Sequence, residues 1–373
     1  MRELSAIRAD LPALAGLAYL NTGTAGPLPL PVAEAMQQAV QEDLARGRIS
    51  GKRFMKIDQL YADARTAFAG LLSVRPEQVA LTSGTVDGLE IALTSLNFGL
   101  GDVVLTTDIE HPAARDALER HCARNGMGID TLEIAETDAD ADIVARFAER
   151  VGDGVAAILV SDVAFGTGRR LPIEQICALA LHDGLRVIVD GAQAAGARAV
   201  DCARLGADFY ALPGQKWLMG PEGAGALVVS ETALTASGLE SAAALERGSR
   251  SKSIWAGMLA ALSWRKALGT EAEIEQAIAA NRRRLVDGLS GLDGVSVVTP
   301  AEAAGLVAFM IAGCAADDIL KAFGAERLAV RDIAGTDRVR ISCGLFTAAN
   351  ELDAVIRVVA SLCMATSNFE ATP

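Results

Sequence analysis

VIVDGAQAAGARAVDCARLGADFYALPGQKWLMGPEGAGALVVS, residues 187–230, decides the fold of this chain. It opens on a short apolar run that closes on Asp190. It ends on two more apolar runs, ADFYALPG (207–214) and GALVVS (225–230), separated by a glycine-framed turn that holds Lys216. Working outward, similar runs recur at QVALTSG (78–84), DVVLTTD (102–108), VAAILVSD (155–162) and LRVIVDG (185–191). Stretches such as EQICALALHDG (174–184) lie between them and carry helical apolar spacing. Buried strands alternating with helices predict an α/β fold, a mostly parallel sheet with helices on both faces. In such sheets the chemistry gathers at the carboxyl ends of the strands.

The chain has 373 residues, 51% of them hydrophobic, enough for two unequal domains and a deep pocket. After residue 245 the texture changes. IWAGMLAALSWRKALG (254–269) and EAEIEQAIAANRRRLVDGL read as helices, and VSVVTP, GLVAFMIAG, LAVRDI and RVRIS as short strands. The expected division is an N-terminal segment (1–18) packing with the small domain, a large domain (19–245) and a small C-terminal α+β domain (246–373). A net charge of −13 excludes a basic nucleic-acid surface. The six cysteines (122, 177, 202, 314, 343, 363) form no CxxC pair, so neither a zinc site nor a disulfide framework is expected. No stretch reads as a membrane span or a cleaved leader. A cytoplasmic protein with reduced thiols is the expectation.

Four features could carry chemistry. Of six lysines, Lys52, Lys56, Lys252, Lys266 and Lys321 sit in polar or helical contexts that read as solvent-facing. Lys216 sits among apolar and glycine residues, where desolvation would lower its pKa and make it a nucleophile and base. A plain surface turn is the alternative. Asp190, at the carboxyl end of a buried strand, could pair with a cationic ring nitrogen; it could also cap a helix. Thr82-Ser83-Gly84-Thr85 could wrap a phosphate at a helix start, or simply cap that helix. His111, after the run DVVLTTDIE, could stack on a flat ring or move protons, or be structural. Phosphate cradle, histidine, strand-end aspartate and framed lysine, in that order, are the set that pyridoxal phosphate (PLP) chemistry needs.

The block from Asp190 to Lys216, with YLNTGTAGPLP (19–29), resembles the class V aminotransferases. These are fold-type I PLP enzymes that include cysteine desulfurases, isopenicillin N epimerase-like proteins and cystine C–S lyases. The resemblance covers nearly the whole chain. It implies that Lys216 is the Schiff-base lysine, Asp190 the pyridinium partner and His111 the stacking residue. Gln193 would contact the ring hydroxyl, and Gly84 and Thr85 the phosphate. Ser249 would reach the phosphate of a neighbouring subunit, which implies a homodimer with shared sites. Gln215 stands where relatives usually have histidine, so an uncharged amide would face the phosphate.

LAVRDIAGTDRVRIS reads as a hairpin (residues 328–342). With its turn between Gly335 and Thr336, Arg331 and Arg340 face each other and repel unless an anion lies there. The resemblance makes Arg340 the binder of the substrate carboxylate and Arg331 a second arginine of the cystine-lyase-like members. Thr22, Thr24, Arg247, Arg250 and Trp255 are further substrate candidates, unranked. A desulfurase needs a cysteine on a mobile loop before Arg340, and none lies there. The expected activity is therefore β-elimination from a cysteine-derived amino acid, giving pyruvate and ammonia. An aminotransferase or epimerase is the alternative. A dinucleotide module is disfavoured because no G-x-G-x-x-G follows the early strands.

Overall fold

The structure is a computed structural model that describes residues 1–152 and 154–370. β1 (Ala18–Tyr19) lies apart from the main sheet. β2 (Val79–Thr82), β3 (Val103–Thr107), β4 (Gly128–Leu132), β5 (Val155–Ser161), β6 (Arg186–Asp190), β7 (Phe209–Pro213) and β8 (Gly225–Val229) form one seven-stranded sheet. Its order is β2-β8-β7-β6-β5-β3-β4. β8 runs antiparallel to both β2 and β7, and the other pairings are parallel. Side chains alternate faces along a strand. Accordingly Leu105, Ile158, Val160, Val187 and Val189 enter the core on one face, and Val104, Ala157, Leu159 and Ile188 the core on the other. Both faces are covered, as the unbroken apolar runs predict.

β4 was not among the expected strands. It is an edge strand, half-buried along most of its length, and GIDTL carries little apolar signal.

The second sheet holds β9 (Val295–Val297), β10 (Leu306–Ile311), β12 (Arg331–Asp332) and β13 (Val339–Ser342), in the order β12-β13-β10-β9. LAVRDI is not one strand. β11 (Leu328–Ala329) pairs in parallel with β1, and only β12 pairs with β13. Within that pair Arg331 stands directly opposite Arg340, the register read from the sequence.

The N-terminal segment bridges both sheets. Ile7, Leu11 and Leu14 pack with Trp217 as well as with Leu306 and Phe346, and Arg8 pairs with Glu351 at 2.9 Å. The helix Lys252–Lys266 buries Trp255, Met258 and Ala261 in a core of the seven-stranded sheet. We propose on this ground that the division falls near residues 267–270 rather than at 245.

Lys252 also departs from its solvent-facing expectation. Its amine is held by Glu42 at 2.6 Å and Asp43 at 3.2 Å, with a side chain only 10% exposed. Lys52, Lys56, Lys266 and Lys321 are exposed.

One buried cation from that helix braces the loops that follow β6 and β7. Arg265 donates to the Trp217 carbonyl (3.1 Å) and the Gly196 carbonyl (2.8 Å), and pairs with Glu271 at 2.6 Å. Arg265→Met strands that carboxylate and both carbonyls. The expected cost is about 3 kcal/mol, in the range for breaking a buried pair. Urea unfolding measures it; a loss under about 1 kcal/mol, the worth of a surface pair, would show that Arg265 braces nothing.

Candidate active site

Asp190 is the last residue of β6 and Lys216 lies three residues past β7, so adjacent parallel strands deliver both to one sheet edge. Asp190 is 5% exposed, and its Oδ1 accepts the Ala192 N–H at 2.8 Å. Burial pushes the Asp190 carboxyl up, against the pull of Lys216 and of that N–H. Burial brings the Lys216 amine down to about 8; Arg340 and Arg331 add to this and Asp190 opposes it. A buried carboxylate wants a cation, and a buried amine wants to be neutral. The carboxylate of Asp190 keeps acceptor capacity beyond the bond from Ala192. A protonated ring nitrogen would supply the cation.

The Lys216 turn is clamped from above as well as braced from behind. Gly26 donates its N–H to the Gln215 carbonyl at 2.7 Å, and a Cβ at Gly26 would overlap the Lys216 carbonyl. That close approach requires glycine. Gln193 donates to the Gly23 carbonyl (2.8 Å) and accepts from the Trp217 indole (2.9 Å). Its second amide hydrogen and the second lone pair of its oxygen remain for a ring hydroxyl. Met219, with φ of 53°, closes the turn in the left-handed region and donates its N–H to the Lys216 carbonyl at 3.0 Å.

At the β2 end, Gly84 caps the helix Thr85–Ser95 with φ of 154° and makes no side-chain cap, while Asp87 accepts the Ser83 N–H at 2.8 Å and its hydroxyl at 3.1 Å. Thr85 Oγ1 is buried without a partner, as is Gln215 Oε1. Uncapped N–H groups and an orphaned hydroxyl form a cradle for a phosphate. Ser249 is exposed, and among the described residues no hydrogen bond joins it to Gly84 or Thr85.

His111 caps the helix Pro112–Asn125, its Nδ1 accepting the Ala113 N–H at 3.2 Å. Nε2 therefore carries the proton in the neutral ring. The ring meets Phe165 edge-on, centroids 4.9 Å apart. Burial, then Lys216, Arg340 and Arg331, lower His111 to about 4, so it is neutral at pH 7.

Arg340 is 2% exposed and donates to the Phe165 carbonyl (2.8 Å) and to Thr24 Oγ1 (3.2 Å). Arg331 reaches the same hydroxyl at 3.4 Å. Neither guanidinium has a carboxylate partner among the described residues, and Arg340 Nε is buried without an acceptor. Burial and then Arg331 bring Arg340 down to about 9. Thr22 Oγ1, two residues before Thr24, is another buried orphan.

The remaining substrate candidates lie on or just before the helix Lys252–Lys266, and Arg250 donates to the Leu81 carbonyl at 2.8 Å, directly ahead of Thr82–Thr85. Trp255 is core, edge-on to Tyr61 at 6.2 Å. Arg250 pairs with Glu246 at 3.0 Å, and Arg247 donates to Thr94 at 2.7 Å. Two residues here were passed over in the sequence, Arg265 and Glu110. An arginine beside a tryptophan in a helix, and an acid directly before the key histidine, were the available signals.

The family model for aminotransferase class V matches residues 18–370. A solved structure of the cystine C–S lyase C-DES, bound to its product cysteine persulfide, superposes with a TM-score of 0.89 at 30% identity, over 94% of this chain and 99% of that one. A lysine-to-alanine C-DES mutant, with glycine covalently linked to its PLP cofactor, gives the same score and identity. An isopenicillin N epimerase of Amycolatopsis lactamdurans is 31% identical over 57% of this chain; the aligned stretch spans 54% of that epimerase, about half its length. A probable cysteine desulfurase of Pseudomonas aeruginosa is 27% identical over 93% of this chain and 95% of its own. With the lysine, aspartate, histidine and phosphate cradle in register at one sheet edge, the chain belongs to the aminotransferase class V family, whose enzymes work with pyridoxal phosphate.

Proposed function

We propose that this enzyme is a PLP-dependent carbon–sulfur β-lyase acting on cystine or an S-substituted cysteine. Gly84, Thr85 and Gln215 would hold the phosphate, His111 the ring face, Asp190 the ring nitrogen, and Lys216 the covalent anchor. PLP, when bound, supplies an electron sink for the bond broken at the substrate α-carbon. Arg340 holds the α-carboxylate bidentately, its charge uncompensated by any acid among the described residues. Arg331, opposite it, takes a second anionic group, and Thr24 fixes the pair. Lys216 Nζ, brought down to about 8, is a base in reach of neutral pH and takes the α-proton. The β-sulfur then leaves with the C–S bonding pair, as a persulfide from cystine or a thiolate from an S-substituted cysteine, and water hydrolyses the three-carbon remainder to pyruvate and ammonia. His111 stays uncharged and adds no further cation to a pocket already holding Arg331, Arg340 and Lys216.

The observation that carries elimination over desulfuration is where the cysteines lie. Cys343 is fully buried in the core of the second sheet, and Cys122, Cys177 and Cys202 are buried in the cores of the first. Cys314 is half-buried rather than buried, and it and Cys363 pack against the second sheet's core. Cys202 lies between Asp190 and Lys216 in sequence, and Cys343 follows Arg340 by three residues, but both side chains are buried in a core. Homodimerisation, with Ser249 crossing to a neighbour's phosphate, belongs to the same proposal. No helix among the described residues is long and apolar enough to cross a membrane.

Stoichiometric pyruvate and ammonia from cystine, followed by a coupled dehydrogenase assay, is the expected result. Racemisation or amino-group transfer without pyruvate would overturn elimination. Arg340→Gln should lower kcat/KM about 100-fold, from some 3 kcal/mol of lost charge pairing. Arg331→Gln should cost less with a monocarboxylate than with cystine; equal losses would remove its assigned role. The imidazole of His111 should titrate near 4 by NMR in cofactor-free protein. An ordinary midpoint near 6.5 would contradict its burial beside three cations.

A further inference from the structure

A buried carboxyl at the same sheet edge has no part in the chemistry above. Glu110 lies between β3 and the helix Pro112–Asn125 and is 6% exposed. Thr107 Oγ1 donates to its Oε1 at 2.6 Å, the Ser161 N–H to the same oxygen at 3.1 Å, and Ser161 Oγ to its Oε2 at 2.5 Å. Thr107 ends β3 and Ser161 ends β5. Ser161 is the register partner of Asp190 across β5 and β6, and His111 is the next residue in the chain. One carboxyl therefore joins two strand ends and the cap of the histidine helix.

The charged groups around it come from each neighbouring element. Asp190 stands at the end of β6, with Asp162 acting on Asp190 from the residue after β5. His111 and Asp116 belong to the following helix, and Lys216, Arg331 and Arg340 act on His111 from across the pocket.

We propose that Glu110 is a second carboxyl of the cofactor site, a positioning residue that acts through Asp190 and makes the charge at the ring-nitrogen end respond to pH. This rests on the reading of the site as a PLP site. The three donors all point at the carboxyl, so both oxygens of the carboxylate form are hydrogen-bonded. When Glu110 takes up a proton, Oε2 donates and Ser161 Oγ turns to accept, with no heavy atom moved. Burial pushes Glu110 up to about 7; the Ser161 and Thr107 bonds oppose this and Asp190 adds to it. The folded form thus holds that proton more tightly than the unfolded chain. Its contribution to stability is present below the ordinary carboxylate range and is lost as pH rises through about 7. Above that, the negative Glu110 acts on Asp190, whose carboxylate would in turn hold a bound ring nitrogen's proton more tightly.

Two titrations test this. In cofactor-free protein, carboxyl NMR should place Glu110 near 7, and Asp190→Asn should lower that midpoint. In PLP-loaded protein, the visible absorbance of the lysine-linked cofactor is titrated in wild type, Glu110→Gln and Glu110→Ala. Glu110→Gln keeps the shape and removes the charge, so its spectral midpoint should fall by about half a unit or more. Glu110→Ala should shift it in the same direction, with lower thermal stability; if it does not fold, Glu110→Gln decides alone. An unchanged spectral midpoint in Glu110→Gln, or an unchanged Glu110 midpoint in Asp190→Asn, overturns the proposal and leaves Glu110 a packing residue. Wild type that shows no lysine-linked absorbance contradicts the functional reading instead, and the Glu110 titration in cofactor-free protein is unaffected by it.

Discussion

The burial of one amine and one carboxylate at the ends of adjacent strands is the constraint on which the rest of this structure depends. Neither Lys216 nor Asp190 is comfortable there. Burial lowers the first and raises the second, and each partly relieves the other. Two turns that would otherwise be loose must therefore be held still. Arg265 does so from behind, through the carbonyls of Gly196 and Trp217, and the 21–26 segment from above, through Gly26 and Gln193. Strain is visible at the same place in the left-handed Met219. Rigidity here is a condition of chemistry, because a base must meet its proton within hydrogen-bond reach.

The chain is strongly acidic overall, yet its pocket is locally positive. Lys216, Arg331 and Arg340 converge with no acid partner for either arginine among the described residues, and His111 stays neutral beside them. A net charge of −13 is thus compatible with an anionic amino-acid substrate. The second sheet contributes this field. Its antiparallel β12–β13 pair sets the two guanidinium groups opposite each other, an arrangement that costs energy without an anion. The first sheet supplies the aspartate, histidine, lysine and the helix start proposed to hold the phosphate. The site is built from both, which explains why the N-terminal segment packs against both sheets at once.

Much of this was legible because the signals were local. The buried parallel strands are continuous apolar runs, and their ends carry the functional residues. The arginine register followed from one turn position. What escaped was decided by tertiary packing. GIDTL looks polar because β4 is an edge strand. LAVRDI looks continuous, yet its halves pair with different partners. The helix from Lys252 reads as the start of a second unit, but its apolar face enters the first core. Lys252 and Arg265 look like ordinary helix-surface cations; the acids on Lys252 are Glu42 and Asp43, far back in the chain, and Arg265 is buried against the Gly196 and Trp217 carbonyls of distant loops. Trp255 looked like a substrate contact and is core. Glu110 shows in the sequence only as an acid directly before His111; the convergence of β3 and β5 makes it a buried carboxyl.

Everything turns on Lys216 as the residue that carries the cofactor. Borohydride reduction of the PLP-loaded protein, followed by digestion and mass spectrometry, reads this directly, because six lysines compete. The predicted result is a single pyridoxyl adduct, on the peptide containing Lys216. An adduct on Lys252 or any other lysine, or none at all, would contradict it.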